Sequence, residues 1–289
     1  MSTPDSPDAP DFRAAPPDAP AMDFMSGTSG QVAGVRVSTA AIVADMLDDA
    51  VDRVMFQRTR LHRSSSSLPR RRVLTLAIER ADVPNLLEAA RVELHESRHE
   101  VHFASTDAGD AGKFENLNTL LAEHPADGFD WLLVIDDDVA LPRGFLDNFL
   151  FLAERFDLQL AQPAHRHRSH AAWEITRRRR GVVLRETAFV EIGPVFAFRA
   201  PVFERLLPFP PLRVGWGLDV HWSAIARQHG WRIGVVDATA IRHGTRPIAS
   251  SYDRADAIAE GRRFLAGRPY TTAADAQRTL MAYRSWQTR

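Results

Sequence analysis

Three consecutive carboxylates, Asp136, Asp137 and Asp138, directly follow the apolar run Trp-Leu-Leu-Val-Ile over residues 131–135. Adjacent negative charges repel one another, so a chain that gathers them needs a cation or a set of hydrogen-bond donors to answer them. Hard carboxylate oxygens suit Mg2+ or Mn2+, ions that take one or two protein carboxylates and complete their shell with phosphate oxygens. The chemistry on offer is metal-assisted handling of a phosphorylated ligand. The plain alternative is a solvated turn in which one aspartate caps the next helix.

Two other stretches carry groups of chemical interest. Residues 106–118 form a polar segment with Gly109 and Gly112, followed by Lys113 and Asn118. Glycines let backbone amides approach an anion, a helix start adds its positive end, and Lys113 supplies a full charge, so a phosphate suits this loop. Lys113 is the single lysine among 36 Lys and Arg residues. Further on, Gly215 and Gly217 flank Trp216, giving mobile backbone around a large flat ring, and Asp219 opens a helix with Trp222, Ile225 and Ala226 on its apolar face. Residues 165–180 hold three histidines and six arginines. This segment reads as a solvated charge run or a loop facing an anion or acceptor. A zinc site, which the histidines could suggest, is the least favoured of these readings, with no cysteine in the chain.

These groups need elements to hold them. The 131–135 run, bounded by polar residues, suits a strand buried on both faces of a parallel sheet, and the three aspartates then leave its carboxyl end, where open α/β sheets place ligands. Other strands are expected at 73–78, 99–105, 158–162, 182–191, 193–199 and 231–236, and helices at 84–96, 144–156, 201–207 and from Asp219. Residues 1–33, rich in Pro, Asp, Ala, Ser and Gly without an apolar period, read as a disordered tail. Residues 34–68 hold a helix from Ser38, with Val43, Leu47, Val51 and Val54 at helical spacing, and a serine-rich linker. That helix is expected to dock, to dimerise or to make a peripheral membrane contact. Residues 69–249 form the main domain. Residues 250–289 read as a helical extension, with helices at 252–265 and 273–286 over the sheet or the cleft.

Composition bounds the rest. A hydrophobic share of 45%, a charged share of 25% and a net charge of -1 are those of an ordinary globular protein, and no basic excess points to nucleic acid. The absence of cysteine excludes disulfides, thiolate nucleophiles and cysteine-ligated zinc. No apolar run approaches the ~20 residues of a membrane span, and the start lacks the basic-then-apolar order of a signal peptide, so a cytoplasmic protein is expected.

Taken together, residues 107–243 resemble a nucleotide-sugar-dependent glycosyltransferase of the GT-A fold, closest in style to family 2. Four pieces carry the resemblance in the family's order: Gly112 and Lys113 with Asn118; the 131–138 strand ending in an Asp-x-Asp motif; Gly215, Trp216, Gly217, Leu218 and Asp219; and the stretch 226–243 closing on His243. The resemblance implies an α/β, Rossmann-like, mostly parallel sheet sandwiched by helices, with residues 69–249 as the catalytic domain. It implies Mn2+ or Mg2+ held by Asp138 and His243. The nucleoside-diphosphate sugar donor would meet Lys113, Asn118, Asp136, Asp137 and Arg246. A glycan or small-molecule acceptor would meet Trp216 and Gly217, with Asp219 as the general base of an inverting transfer. Two departures stand out: Leu218 replaces the first member of the family's acidic pair, and one β-α unit is missing before the metal motif. A metal-dependent nucleotidyltransferase and a non-catalytic nucleotide-sugar or glycan binding scaffold are the competing readings.

Overall fold

Strand β3 (Trp131–Asp136) lies inside the molecule, and its alternating side chains feed two separate cores. Trp131, Leu133 and Ile135 join Leu87, Leu94, Phe145 and Phe149 on one face; Leu132 and Val134 join Phe114, Leu117 and Trp222 on the other. Each fully buried side chain of this kind stabilises the fold by roughly 1.5–3 kcal/mol. A strand apolar at every position therefore holds helices on both faces of its sheet.

The computed structural model describes residues 23–26, 39–54, 57–244 and 253–287. Before β3 come helices α1 (Thr39–Val54) and α2 (Gln57–Ser65), strand β1 (Arg72–Glu79), α3 (Leu87–His95), β2 (Glu100–Asp107) and α4 (Lys113–Glu123). After it follow β4 (Val139–Ala140), α5 (Phe145–Arg155), β5 (Leu158–His165), β6 (Leu184–Thr187), β7 (Val195–Arg199), α6 (Phe203–Leu206), α7 (Leu218–Gln228) and β8 (Arg232–His243). The described chain ends with α8 (Arg254–Leu265), α9 (Ala273–Ala276) and β9 (Thr279–Tyr283).

The strands form one sheet in the order β2-β1-β3-β7-β5-β8-β6-β9, with β4 pairing β8 off that path. Following the pairings, β2, β1, β3, β5, β8 and β9 run one way, and β7 and β6 run the other. The sheet is thus mostly parallel in direction, flanked by helices, as the sequence leads one to expect.

Three expectations change. The helix expected over 273–286 is a single turn, α9, followed by β9, because residues 279–283 pair with the otherwise open edge of β6. Within the stretch read as a tail, Asp23–Ser26 depart from that reading: Phe24 and Met25 are buried in the core, and the Tyr270 hydroxyl donates to Asp23 at 2.8 Å. Ser64, read as linker, lies in the last turn of α2 and accepts a hydrogen bond from the Trp286 indole at 3.0 Å.

Candidate active site

The carboxyl ends of β1 and β3 open into a cavity of about 600 Å³. Lys113, Asp136, Asp137, Asp138, Asp219 and His243 all line it, as do Trp216 and Gly217. Residues separated by more than half the main domain therefore face one space.

Asp138 and His243 meet through strand pairing. Val139 of β4 stands opposite His243 of β8, so the neighbouring Asp138 projects toward the imidazole, with Oδ1 3.2 Å from Nε2. Burial opposes charge on His243, but the hydrogen bond and negative charge of Asp138 outweigh it, and the imidazole pKa rises above its ordinary value. The Nδ1 of His243 is buried without a hydrogen-bond partner among the described residues. No group of three or more His, Asp or Glu residues among those described forms a complete metal cage. One carboxylate and one imidazole, with Asp136 beside them, nonetheless fit an ion that takes few protein ligands and fills its shell with phosphate oxygens.

Lys113 begins α4, and its Nζ lies 2.7 Å from Asp136 Oδ1. The loop before α4 packs against the glycine-rich loop before α7: Lys113 N donates to Arg213 O at 2.7 Å, and a Cβ on Gly112 would sit 2.1 Å from Arg213 Cα. Gly112 is thus needed for close approach of two backbones, and it also borders the cavity. Gly215 has φ +89°, and a Cβ there would sit 2.1 Å from the Phe114 ring. Glu260 of α8 holds the same loop from outside, accepting from the amides of Arg213, Val214 and Gly215 at 2.7, 3.0 and 2.9 Å. The C-terminal helix α8 therefore positions the loop that carries Trp216.

Asp219 sits in the first turn of α7, whose N-cap is Gly217 at φ +91° with no side-chain cap. Asp219 is 6% exposed. Burial pushes its carboxyl up to about 7; the Val220 amide opposes the shift and Glu191 adds to it. A carboxylate poised near neutrality beside a cavity has the properties of a general acid or base.

The remaining site expectations fare differently. Asn118 is turned away: its amide exchanges two hydrogen bonds with the Phe209 backbone, at 2.8 and 2.9 Å, because the loop before α7 needs its polar groups answered. It is not among the cavity residues, whereas Asn116, one helical step back, is. Asp137 accepts from the Arg80 amide at 2.9 Å and tethers the loop after β1, although it also borders the cavity. Arg246 lies outside the described residues.

Sequence reasoning missed Glu191, His165 and His170, which also line the cavity. His165 Nε2 lies 3.5 Å from Glu191 Oε2, and burial lowers the His165 pKa. His170 is pushed down to about 4, by burial first and by His243 second. The histidines were visible in the 165–180 segment, but their acidic partner arrives from a different strand connection. Glu191 places a second carboxylate near Asp219, where its charge helps to raise the Asp219 pKa.

No model of a known protein family matches the chain, and no curated protein matches it. Among solved structures it is similar to GalNAc-T7 bound to UDP, GalNAc and Mn2+, at 11% identity and a TM-score of 0.43, over 63% of this chain and 45% of that one. It is also similar to S. aureus TarS residues 1–349 with UDP-GlcNAc, at 10% identity and a TM-score of 0.43, over 67% and 65% of the two chains. A Drosophila β1,4-galactosyltransferase 7 catalytic domain complexed with xylobiose matches at 13% identity and a TM-score of 0.42, over 65% and 79%. The chain spans less than half the length of the first of these structures.

Proposed function

We propose that this chain is a glycosyltransferase that moves a sugar from a nucleoside-diphosphate donor to an acceptor hydroxyl with inversion. One observation carries the reading: a single cavity joins the Asp138–His243 pair, the Lys113–Asp136 pair and the buried carboxyl of Asp219. A nucleotidyltransferase has no need of the last of these.

Asp138 and His243 would hold Mn2+ or Mg2+, with Asp136 alongside. When bound, the ion offsets the negative charge that develops on the departing diphosphate. Lys113, on the first turn of α4, would attract phosphate oxygens with its ammonium group and the positive end of its helix. Asp219 would accept the proton of the acceptor hydroxyl as that oxygen attacks the anomeric carbon. Trp216, on a loop pinned by Glu260, would present its ring to the apolar C-H face of a sugar.

The test is turnover of a donor panel with and without Mn2+. Metal-dependent release of a nucleoside diphosphate is expected, together with thermal stabilisation by one nucleoside diphosphate only when metal is present. Release of pyrophosphate would instead mark a nucleotidyltransferase. Binding without release of either product would mark a scaffold.

A further inference from the structure

Helix α1 docks by its polar face. Asp45, Asp48 and Asp52 are buried, whereas Val43, Met46, Leu47, Val51 and Val54, on the opposite side at helical spacing, are exposed, Met46 at 66% and Val54 at 75%. The buried carboxylates and Asp49 are held by the arginine-rich segment after β5. Arg168 Nε lies 3.0 Å from Asp45, Arg166 Nη2 2.5 Å from Asp49, and Arg178 Nη2 2.5 Å from Asp52; Arg180 and His167 both reach Asp48. The sequence left this apolar stripe to dock, to dimerise or to touch a membrane, and the structure turns it outward.

A contiguous apolar stripe left in water marks an interaction surface. Charge decides what fits it. Residues 39–65 contain no carboxylate beyond the four aspartates already paired inward, while Arg53, Arg58, Arg60 and Arg63 are exposed. Arg166, Arg168, Arg178 and Arg180, with Arg58, pair with the four aspartates, and the exposed Arg53, Arg60 and Arg63 leave the cap net positive. A second copy related by a two-fold axis would set these arginines against their own images, with no free carboxylate to answer them. An anionic lipid surface answers both features, taking apolar side chains below its headgroups and arginines among its phosphates.

We infer that the outer face of α1, rimmed by the arginines of α2, is a docking surface for an anionic bilayer. The docked helix rests on the same 165–180 segment that supplies His165, His170 and Trp173 to the cavity wall. The membrane face and the candidate active site thus share one supporting loop. The inference does not depend on the transfer chemistry.

The test is sedimentation of the full chain with phosphatidylglycerol vesicles and with phosphatidylcholine vesicles. Binding to the first, at least tenfold weaker to the second and weakened by salt, is expected. The double variant Met46→Glu/Leu47→Glu should bind phosphatidylglycerol at least tenfold more weakly with an unchanged thermal midpoint, since both side chains are exposed. Arg60→Glu/Arg63→Glu should lose the lipid preference. Absence of binding, equal binding to both vesicles, or full binding by the Met46/Leu47 variant would overturn the inference. So would a soluble dimer that the Met46/Leu47 variant abolishes, which would give this face to a second copy.

Discussion

Asp138 Oδ1 and His243 Nε2 stand 3.2 Å apart because the two-residue strand β4 pairs antiparallel with the last residues of β8. The pairing register sets Val139 opposite His243, and the aspartate one residue earlier is thereby aimed at the ring. A slip of one residue would turn the neighbouring side chains to the opposite face and disperse the site.

Replacement of the buried carboxyl by an amide separates its chemistry from its structural part. Asp219→Asn is expected to lower kcat by roughly a hundred- to ten-thousand-fold while nucleoside diphosphate binding, followed by calorimetry, stays nearly intact. It should also raise stability. The folded-state pKa of Asp219, about 7, lies above the ordinary carboxyl value of 3.8, so ionisation penalises the native state. That penalty is absent below the unfolded pKa, grows as pH rises toward 7, and reaches at most about 4 kcal/mol above it. The variant's advantage in thermal midpoint should therefore widen from acid to alkaline pH.

The same pKa predicts a pH profile. A general base acts in its ionised form, so log kcat/KM should climb with a slope near one below about pH 7 and level off above it. A profile already flat from pH 5 upward would remove Asp219 from the proton transfer.

Lys113 is the counter-charge to Asp136, at 2.7 Å. Lys113→Ala should weaken nucleoside diphosphate binding by roughly 10- to 100-fold, the usual worth of a charge-assisted hydrogen bond. Lys113→Arg should recover part of it. Titration calorimetry of both variants checks this.

Glu260 accepts hydrogen bonds from three backbone amides of the Trp216 loop. Glu260→Ala leaves those donors unanswered, at a cost of about 1–3 kcal/mol. KM is expected to rise more than kcat falls, with partial rescue by Glu260→Gln. Steady-state kinetics beside thermal unfolding would expose a purely structural role, in which the midpoint drops and KM is unmoved.

Away from the cavity, Arg185 and Asp237 are both fully buried, with Nε to Oδ2 at 2.9 Å and Nη2 to Oδ1 at 3.0 Å. Arg185 also donates to the carbonyls of Ile175 and Arg177, tying the arginine-rich segment to β6. Arg185→Met leaves Asp237 an uncompensated buried charge and should cost about 3–5 kcal/mol, read from denaturant unfolding.

Local sequence determined much of this protein. The uninterrupted apolar run of β3 announces a strand buried on both faces, the acidic triplet marks the end that opens into the cavity, and the single lysine stands where α4 begins. These features are legible because burial and helix starts leave their mark within a few neighbouring residues. Partnership over distance left no such mark. Only the tertiary structure decided that Glu191 would join His165 and Asp219, and that Asn118 would serve the Phe209 backbone. It likewise decided that residues 279–283 would complete a sheet edge instead of a helix. In α1 the local pattern left the outcome open, since periodicity reveals that a helix has two faces but not which one is covered. Arg166, Arg168, Arg178 and Arg180, arriving from the segment after β5, settled that choice by meeting the aspartates and leaving the apolar face outside.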